Sequence, residues 1–231
     1  MKILMNNFPK INFKANTGAT SPITEHSQPQ SQGINPQPSQ DTFEKNKSPQ
    51  KTNQSTTNIF YVNDIHGRIG NMARIYSAKE LFDNNNKDTQ ADKLVLSAGD
   101  ISAGSDPKIV KASNTYMNAL GIDATADGNH EYDANPDEIA VAKKDAKFKS
   151  LGMNLEIPKG NPLDGVIQKS FVLEKNGHKY AIIGLAPPDL HERIRDNESR
   201  KQIGVDDFSK TLKDIQNVVD DYKKQGINKV I

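Results

Sequence analysis

From residue 58 onward, short apolar runs alternate with amphipathic stretches along this chain. Three of the apolar runs, at 58–63, 93–98 and 122–126, are typical of strands buried on both faces of a sheet. The stretches between them carry apolar residues three or four positions apart, as Met72, Ile75 and Ala78 do, which predicts helices. This alternation of strand and helix predicts an α/β fold with a parallel sheet and right-handed crossovers.

Capping signals set the predicted ends of two of these helices. One helix begins at Pro107 and ends at Gly121, because proline suits a first helical position and glycine a C-terminal stop. The next, with Asn135 in a capping position before a proline, is predicted to extend to about Lys149. The connections between the predicted elements are therefore short.

The pattern changes in the second half of the chain. Residues 153–156 indicate a short fourth strand, and Asn176-Gly177 between two apolar runs predicts a β-hairpin with a type I′ turn. A last long helix is predicted from Val205 to Gln225, followed by a strand that begins at 227. A hairpin after parallel units indicates a mixed sheet or a second sheet packed on the first.

The first 56 residues have a different composition. They hold six of the 12 prolines and many Gln, Asn, Ser and Thr residues, with almost no apolar periodicity. This composition predicts a disordered tail over 1–56 and a folded part over 57–231. No apolar run near Met1 is long enough for a secretory signal, so none is predicted, and no segment approaches the ~20 apolar residues of a membrane span.

Charge and cysteine content narrow the possible partners. The formal net charge is +1, from 30 basic and 29 acidic residues, which argues against nucleic acid as a general partner. The chain has no cysteine, which excludes a disulfide framework and a thiolate metal site.

A polar cluster follows each of the three predicted parallel strands. Asp64 and His66 follow the first, Asp100 the second, and Asn129 and His130 the third. Groups that do chemistry in α/β sheets lie just beyond the carboxyl ends of the strands, so these side chains are expected to share one crevice.

These residue types suit divalent cations. Carboxylate and amide oxygens suit Mg, Ca or Mn and imidazole suits Zn or Fe, so the mixed set indicates Mn, Fe, Zn or similar ions. Two such ions roughly 3.5–4 Å apart can clamp a phosphoryl group and activate a water molecule. A shared carboxylate commonly holds two ions this close, and Asp100 is the candidate.

The motifs Asp64-Ile65-His66-Gly67, Gly99-Asp100 and Gly128-Asn129-His130-Glu131, in this order, resemble those of the calcineurin-like metallophosphoesterases. The sequence GNHEYD followed by a helix is similar to the 5′-nucleotidase/2′,3′-cyclic phosphodiesterase branch. The resemblance spans 58–231 and implies a metallophosphatase-type fold, a double β-sheet sandwich flanked by helices and here truncated at its C-terminal side. Because no secretory signal is predicted, a cytoplasmic location is the default expectation, and export through an unrecognised leader is the alternative because members of this family are often exported.

The resemblance implies a role for each motif residue. Asp64 and His66 would ligate the first of two divalent metal ions, Asp100 would bridge the pair, and Asn129 would ligate the second ion. Taken singly, these residues are better explained as capping or turn residues and a solvated histidine. The ordered set of motifs favours the metal site.

Two further residues receive catalytic roles from the same resemblance. His130 would face the substrate rather than a metal, and Asp133 would orient the His130 ring. The alternative for Asp133 is a surface carboxylate before the following helix. The basic run Arg193, Arg195, Arg200 and Lys201 is interleaved with acidic residues and is interpreted as a solvated face.

The family completes its site with later histidines, whereas His191 is the last histidine of this chain. We therefore expect the N-terminal part of a catalytic domain, in which the first metal keeps most of its ligands and the second about half. Little or no hydrolysis is expected from these residues alone. The leading hypothesis is hydrolysis of nucleotide phosphate monoesters at a dinuclear site. A phosphodiesterase acting on cyclic nucleotides or other phosphoesters, and a non-catalytic module that binds a metal or a phosphate, are the alternatives. The oligomeric state is left open.

Overall fold

The computed structural model describes residues 56–103 and 106–231, and the predicted disordered tail lies outside them except for Thr56. The strands within this part are β1 (Thr57–Val62), β2 (Asp92–Ser97), β3 (Ala124–Ala126), β4 (Lys149–Leu151), β5 (Leu155–Glu156), β6 (Ile167–Gln168), β7 (Ser170–Lys175), β8 (His178–Ile183), β9 (Gly204–Val205) and β10 (Lys229–Val230). The helices are α1 (Ile69–Asn85), α2 (Pro107–Leu120), α3 (Pro136–Lys143), α4 (Leu190–Arg193), α5 (Asn197–Gln202) and α6 (Phe208–Lys224), with a 3-10 turn at His130–Tyr132.

The first sheet is parallel throughout and has the strand order β1-β2-β3-β4-β6. Each of its first three connections contains one of the helices α1, α2 and α3, as parallel neighbours require. The longest pairing joins β1 to β2, from Thr57 opposite Asp92 to Val62 opposite Ser97. The predicted alternation of strand and helix is confirmed.

The second sheet has the order β10-β8-β7. β7 and β8 form the predicted hairpin, and its turn residues Asn176 and Gly177 have φ angles of 50° and 79°. Both central residues of a type I′ turn need positive φ, which is why Asn-Gly is favoured there. β10 runs parallel to β8 on the other side.

The two sheets pack face to face through one apolar cluster. Leu94, Ala124 and Leu151 of the first sheet meet Tyr180 and Ile182 of β8. All five side chains are buried. The predicted double-sheet sandwich is therefore present in the described residues.

Helices α1 and α2 cover the outer face of the first sheet. Met72 of α1 and Met117 of α2 are buried in a cluster with Val62 and Val95. On the second sheet, Tyr222 of α6 is hydrogen-bonded to a serine of β7. None of the described helices has the length and apolar character that crossing a membrane requires.

Three predicted boundaries need correction. The helix expected to reach Lys149 ends at Lys143, because residues 149–151 form β4, where Leu151 is buried between the sheets. The segment 153–156 supplies only β5, which pairs with β9 outside the first sheet. The last helix begins at Phe208 rather than Val205, since Asp207 caps it by accepting a hydrogen bond from the Lys210 amide.

A buried carboxylate at the start of β2 ties the two sheets together. Asp92 accepts hydrogen bonds from Asn176 at 3.0 Å, His178 Nδ1 at 2.7 Å and the Tyr180 hydroxyl at 2.5 Å, all on the hairpin of the second sheet. Burial raises the pKa of Asp92, but the hydrogen bonds from Tyr180, Asn176 and His178 outweigh it and hold the pKa below its usual value.

We predict that Asp92→Asn lowers the free energy of unfolding by about 2–4 kcal/mol at pH 7, because it weakens a buried charged hydrogen-bond network. The lowered pKa means that the carboxylate stabilises the fold above about pH 4 and loses this effect as the pH falls through the folded-state value. Urea denaturation of the wild-type protein and the variant at pH 7 measures the loss of unfolding free energy. The same comparison below pH 4 shows whether the difference between the two proteins shrinks as the carboxylate is protonated. Asp88→Asn, at an exposed position, is the control, and an equal response of the two variants would contradict the role of Asp92.

Candidate metal centre

Loops at the carboxyl ends of β1, β2 and β3 carry the predicted site residues. The loop after β1 continues to pair with the loop after β2. The Asp64 amide donates to the Gly99 carbonyl at 3.2 Å, and the His66 amide donates to the Asp100 carbonyl at 2.9 Å. The sheet register thus extends past the strands and fixes these two loops relative to each other.

The backbone in these loops adopts an uncommon conformation. Asp64, His66 and Asp100 have φ angles of 53°, 51° and 52°, and Asn176 of the hairpin is the only other non-glycine residue with positive φ in the described part of the chain. Such residues cost of order 1 kcal/mol or more each and persist where surrounding contacts hold them. All three strained positions outside the hairpin are predicted metal ligands.

The side chains of the three loops converge. His66 Nε2 lies 3.5 Å from Asp100 Oδ2 and 3.6 Å from Asp64 Oδ1. A ring nitrogen of His66, a ring nitrogen of His130 and a carboxylate oxygen of Asp100 all lie within 4.8 Å of one another. His66 Nε2 is buried and has no hydrogen-bond partner among the described residues. Since buried polar atoms are normally satisfied, this nitrogen and its carboxylate neighbours fit a divalent ion.

Asp100 connects the two halves of the cluster. Its Oδ1 accepts a hydrogen bond from the His130 amide at 3.0 Å, while its Oδ2 faces His66. Its side chain is 15% exposed, against 59% for Asp64, so Asp100 is the more enclosed of the two carboxylates. One carboxylate thus presents an oxygen to each side of the cluster.

Two glycines allow the second and third loops to approach this closely. A Cβ atom on Gly99 would lie 2.3 Å from the Gly128 nitrogen, and one on Gly128 would lie 2.3 Å from Asp100 Oδ1. Neither distance is compatible with a side chain. Glycine at both positions is therefore a steric requirement of the site.

His130 is held by Asp133. Its Nδ1 lies 2.6 Å from Asp133 Oδ2, and the Asp133 side chain is 1% exposed, so this carboxylate is buried against the ring rather than on the surface. The His130 ring meets the His66 ring edge to face, with centroids 4.9 Å apart. Asn129, the remaining predicted ligand, is partly buried. Its backbone carbonyl accepts a hydrogen bond from the Tyr132 amide at 3.1 Å, at the start of the 3-10 turn.

Glu131 has a structural role that the sequence did not reveal. Its carboxylate accepts hydrogen bonds from three backbone amides, those of Asp100 at 2.9 Å, Ile101 at 2.8 Å and Gly128 at 2.7 Å. Burial, together with the negative charge of Asp127, raises the pKa of Glu131 to about 7. The sequence indicated only that Glu131 belongs to the motif of the third loop. It did not show that this carboxylate joins the third loop to the second.

Arg195 also reaches the site, although it belongs to the basic run interpreted as a solvated face. Its amide donates to Asp133 Oδ1 at 3.4 Å, and its Nε lies 3.9 Å from Asp133 Oδ2. The buried Ile194 beside it anchors this segment in the apolar cluster around Tyr132. The Arg195 side chain is largely exposed, as expected for a solvated face. Only its contact with Asp133 differs from that expectation.

The sequence model of the calcineurin-like phosphoesterase family matches residues 57–228. The chain belongs to this family. The predicted family resemblance is thereby confirmed over the part that carries all three motifs.

Curated relatives of this calcineurin-like phosphoesterase include a 5′-nucleotidase of Vibrio cholerae, 33% identical over 183 residues, which cover 72% of this chain and 31% of the relative. Protein UshA of Yersinia enterocolitica is 34% identical over 136 residues, or 56% of this chain and 24% of that protein. The chain thus spans about a third or less of the length of these relatives.

Solved structures share the fold. A 5′-nucleotidase precursor from Thermus thermophilus superposes with a TM-score of 0.57 at 22% identity, covering 74% of this chain and 35% of that one. The NAD nucleotidase of Haemophilus influenzae gives a TM-score of 0.58 at 23% identity, covering 74% and 33%. The predicted metallophosphatase-type α/β fold is confirmed.

We predict that Glu131→Ala weakens Mn²⁺ binding by about 10–100-fold, the usual effect of removing a residue that orients metal ligands. The physical reason is that three amides lose the acceptor that holds the Asp100 loop against the Gly128 loop. Isothermal titration calorimetry measures the affinity, and circular dichroism verifies that the variant is folded. Glu80→Ala, at an exposed position of α1, is the matched control. A folded Glu131→Ala protein with wild-type affinity would rule out this role.

Proposed function

We propose that this domain binds divalent metal ions and hydrolyses phosphate monoesters of nucleotides. The observation that carries the proposal is the convergence of His66, Asp100 and His130 around a buried imidazole nitrogen that has no hydrogen-bond partner in the described part of the chain. Membership of the calcineurin-like phosphoesterase family supports the reaction class. The names of the relatives, 5′-nucleotidase among them, support the substrate class.

Four residues are proposed to hold the ions. Asp64 and His66 would serve the first, Asn129 the second, and Asp100 both, in keeping with its two differently placed oxygens. When bound, divalent ions polarise the phosphoryl group and lower the pKa of water. The metals that suit this donor set are Mn, Zn, Fe or similar.

His130 is proposed to handle a proton at the leaving oxygen. Asp133 holds Nδ1 at 2.6 Å, so the ring is fixed in orientation and its Nε2 is left for the substrate. The amide of His130 donates to Asp100, which keeps the histidine beside the proposed metal ligands. The Arg195 amide donates to the other oxygen of Asp133, so the acid that orients His130 is itself held in place.

The proposed ligand set is uneven. Asp64, His66 and Asp100 would serve the first ion, whereas the second ion would have only Asn129 and the shared Asp100. We therefore propose one firm ion, a second weaker ion, and slow hydrolysis by these 231 residues.

Calorimetric titration with Mn²⁺, followed by a phosphate-release assay, tests the proposal. We expect Mn²⁺ binding that Asp100→Ala reduces by at least about tenfold, because this carboxylate faces both sides of the cluster. We expect slow phosphate release from AMP that stops when EDTA is added, and less release from 2′,3′-cyclic AMP. Asp88→Ala is the control for the loss of an exposed carboxylate. Absence of Mn²⁺ binding would contradict the metal site, binding without turnover would leave a non-catalytic module, and preference for the cyclic ester would indicate a phosphodiesterase.

The same assay with His130→Asn separates catalysis from metal binding. Removal of a general acid lowers the rate by about 10²–10⁴, so release from AMP should fall to background while Mn²⁺ affinity is retained. If His130→Asn also lost Mn²⁺ binding, His130 would be a metal ligand, and its assignment to proton transfer would be overturned.

A further inference from the structure

We propose that a cavity between α2 and α3 receives the organic part of the phosphate ester and favours an apolar, planar leaving group. This inference rests on the proposed function, since it concerns the substrate of the same site. It adds a substrate preference that neither the metal ligands nor the His130–Asp133 pair determines.

The cavity has a volume of about 440 Å³. This lies within the roughly 300–1,000 Å³ of small-molecule pockets. Its walls are mainly apolar, with Pro107 and Val110 from α2, Ile139 from α3, and Ile101 and Phe148 from the adjoining loops. Burial of an aromatic ring against such walls is favourable, whereas a charged group there would lose its hydration.

The position of the cavity relative to His130 determines which part of a substrate it can receive. His130 and Glu131 form part of its wall, and His130 also belongs to the cluster with His66 and Asp100. If His130 serves the leaving oxygen, the carbon bonded to that oxygen lies on the His130 side of the phosphoryl group. The organic part of the ester is then next to the apolar wall.

Two polar side chains in the wall, those of Asn114 and Lys143, are already engaged with the protein. Asn114 Nδ2 donates to the Ala142 carbonyl at 2.9 Å, and the Lys143 ammonium contacts Asp127 Oδ2 at 3.1 Å and donates to Ser150 Oγ at 2.8 Å. They therefore leave the apolar surface as the main feature that a ligand meets.

The exposed charges around the cavity are mostly negative. The exposed charged residues of the wall are one basic residue, Lys111, and three acidic residues, Asp137, Glu138 and Asp145. A second anionic group on the substrate would be repelled by this set. An uncharged organic group attached to a single phosphate fits the cavity better than a chain of phosphates.

Two non-hydrolysable probes test the preference, benzylphosphonate and methylphosphonate, which differ only in the aromatic ring. In the presence of Mn²⁺, calorimetry on the full chain should show benzylphosphonate binding at least about tenfold more tightly, as burial of a ring implies. Ala142→Phe and Val110→Phe, which fill the cavity, should each bring the two affinities together while leaving methylphosphonate binding unchanged. Ala119→Phe, at an exposed position of α2 outside the cavity, should retain the preference.

The outcomes separate this inference from the proposed function. Equal affinity of the wild-type protein for the two probes would overturn the inference while leaving the phosphoesterase site intact. A preference that survives in either folded cavity-filling variant would also overturn it, and thermal unfolding identifies which variants are folded. If neither probe binds, the proposed function fails and the inference fails with it.

Discussion

Parallel pairing of β1, β2 and β3 is the constraint on which the site depends. It brings three loops to one edge of the sheet, and the pairing continues beyond the strands through the amides of Asp64 and His66. The second and third loops can then touch only because glycines occupy positions 99 and 128. The Glu131 carboxylate stabilises this contact by accepting hydrogen bonds from backbone amides of both loops. The geometry of the candidate metal centre is therefore set by the sheet as much as by the proposed ligands.

The same edge of the sheet carries costs that the rest of the fold must offset. Three residues there have positive φ, and the carboxylates of Asp64 and Asp100 both lie within 3.6 Å of one imidazole nitrogen. Strain and like charge of this kind are typical of functional sites, where a bound cation relieves part of the repulsion. At the start of β2, Asp92 shows the opposite arrangement, a buried carboxylate supplied with hydrogen bonds from the second sheet. The Asp92 carboxylate is satisfied by the protein, whereas the Asp64 and Asp100 carboxylates lie beside an imidazole nitrogen that has no hydrogen-bond partner among the described residues.

The sequence predicted the features that depend on local signals. The parallel units, the Asn176-Gly177 hairpin and the α2 caps are all encoded within a few residues and are all present. The end of α3 was predicted wrongly, because burial of Leu151 between the sheets decides that 149–151 form a strand. The role of Glu131 was missed, because its contact with the Asp100 amide spans 31 positions and involves only backbone donors. The convergence of Asp64, His66 and Asp100 was expected from three motifs together, whereas metal ligation by them and by Asn129 stays a prediction.

The central claim is that a divalent cation binds between the loops after β1 and β2. The most direct measurement is anomalous diffraction from a crystal of this protein grown with Mn²⁺. We expect an anomalous peak at about 2.0–2.3 Å from His66 Nε2 and from an oxygen of Asp100. A crystal with full-strength Mn²⁺ peaks elsewhere and none at these two side chains would contradict it.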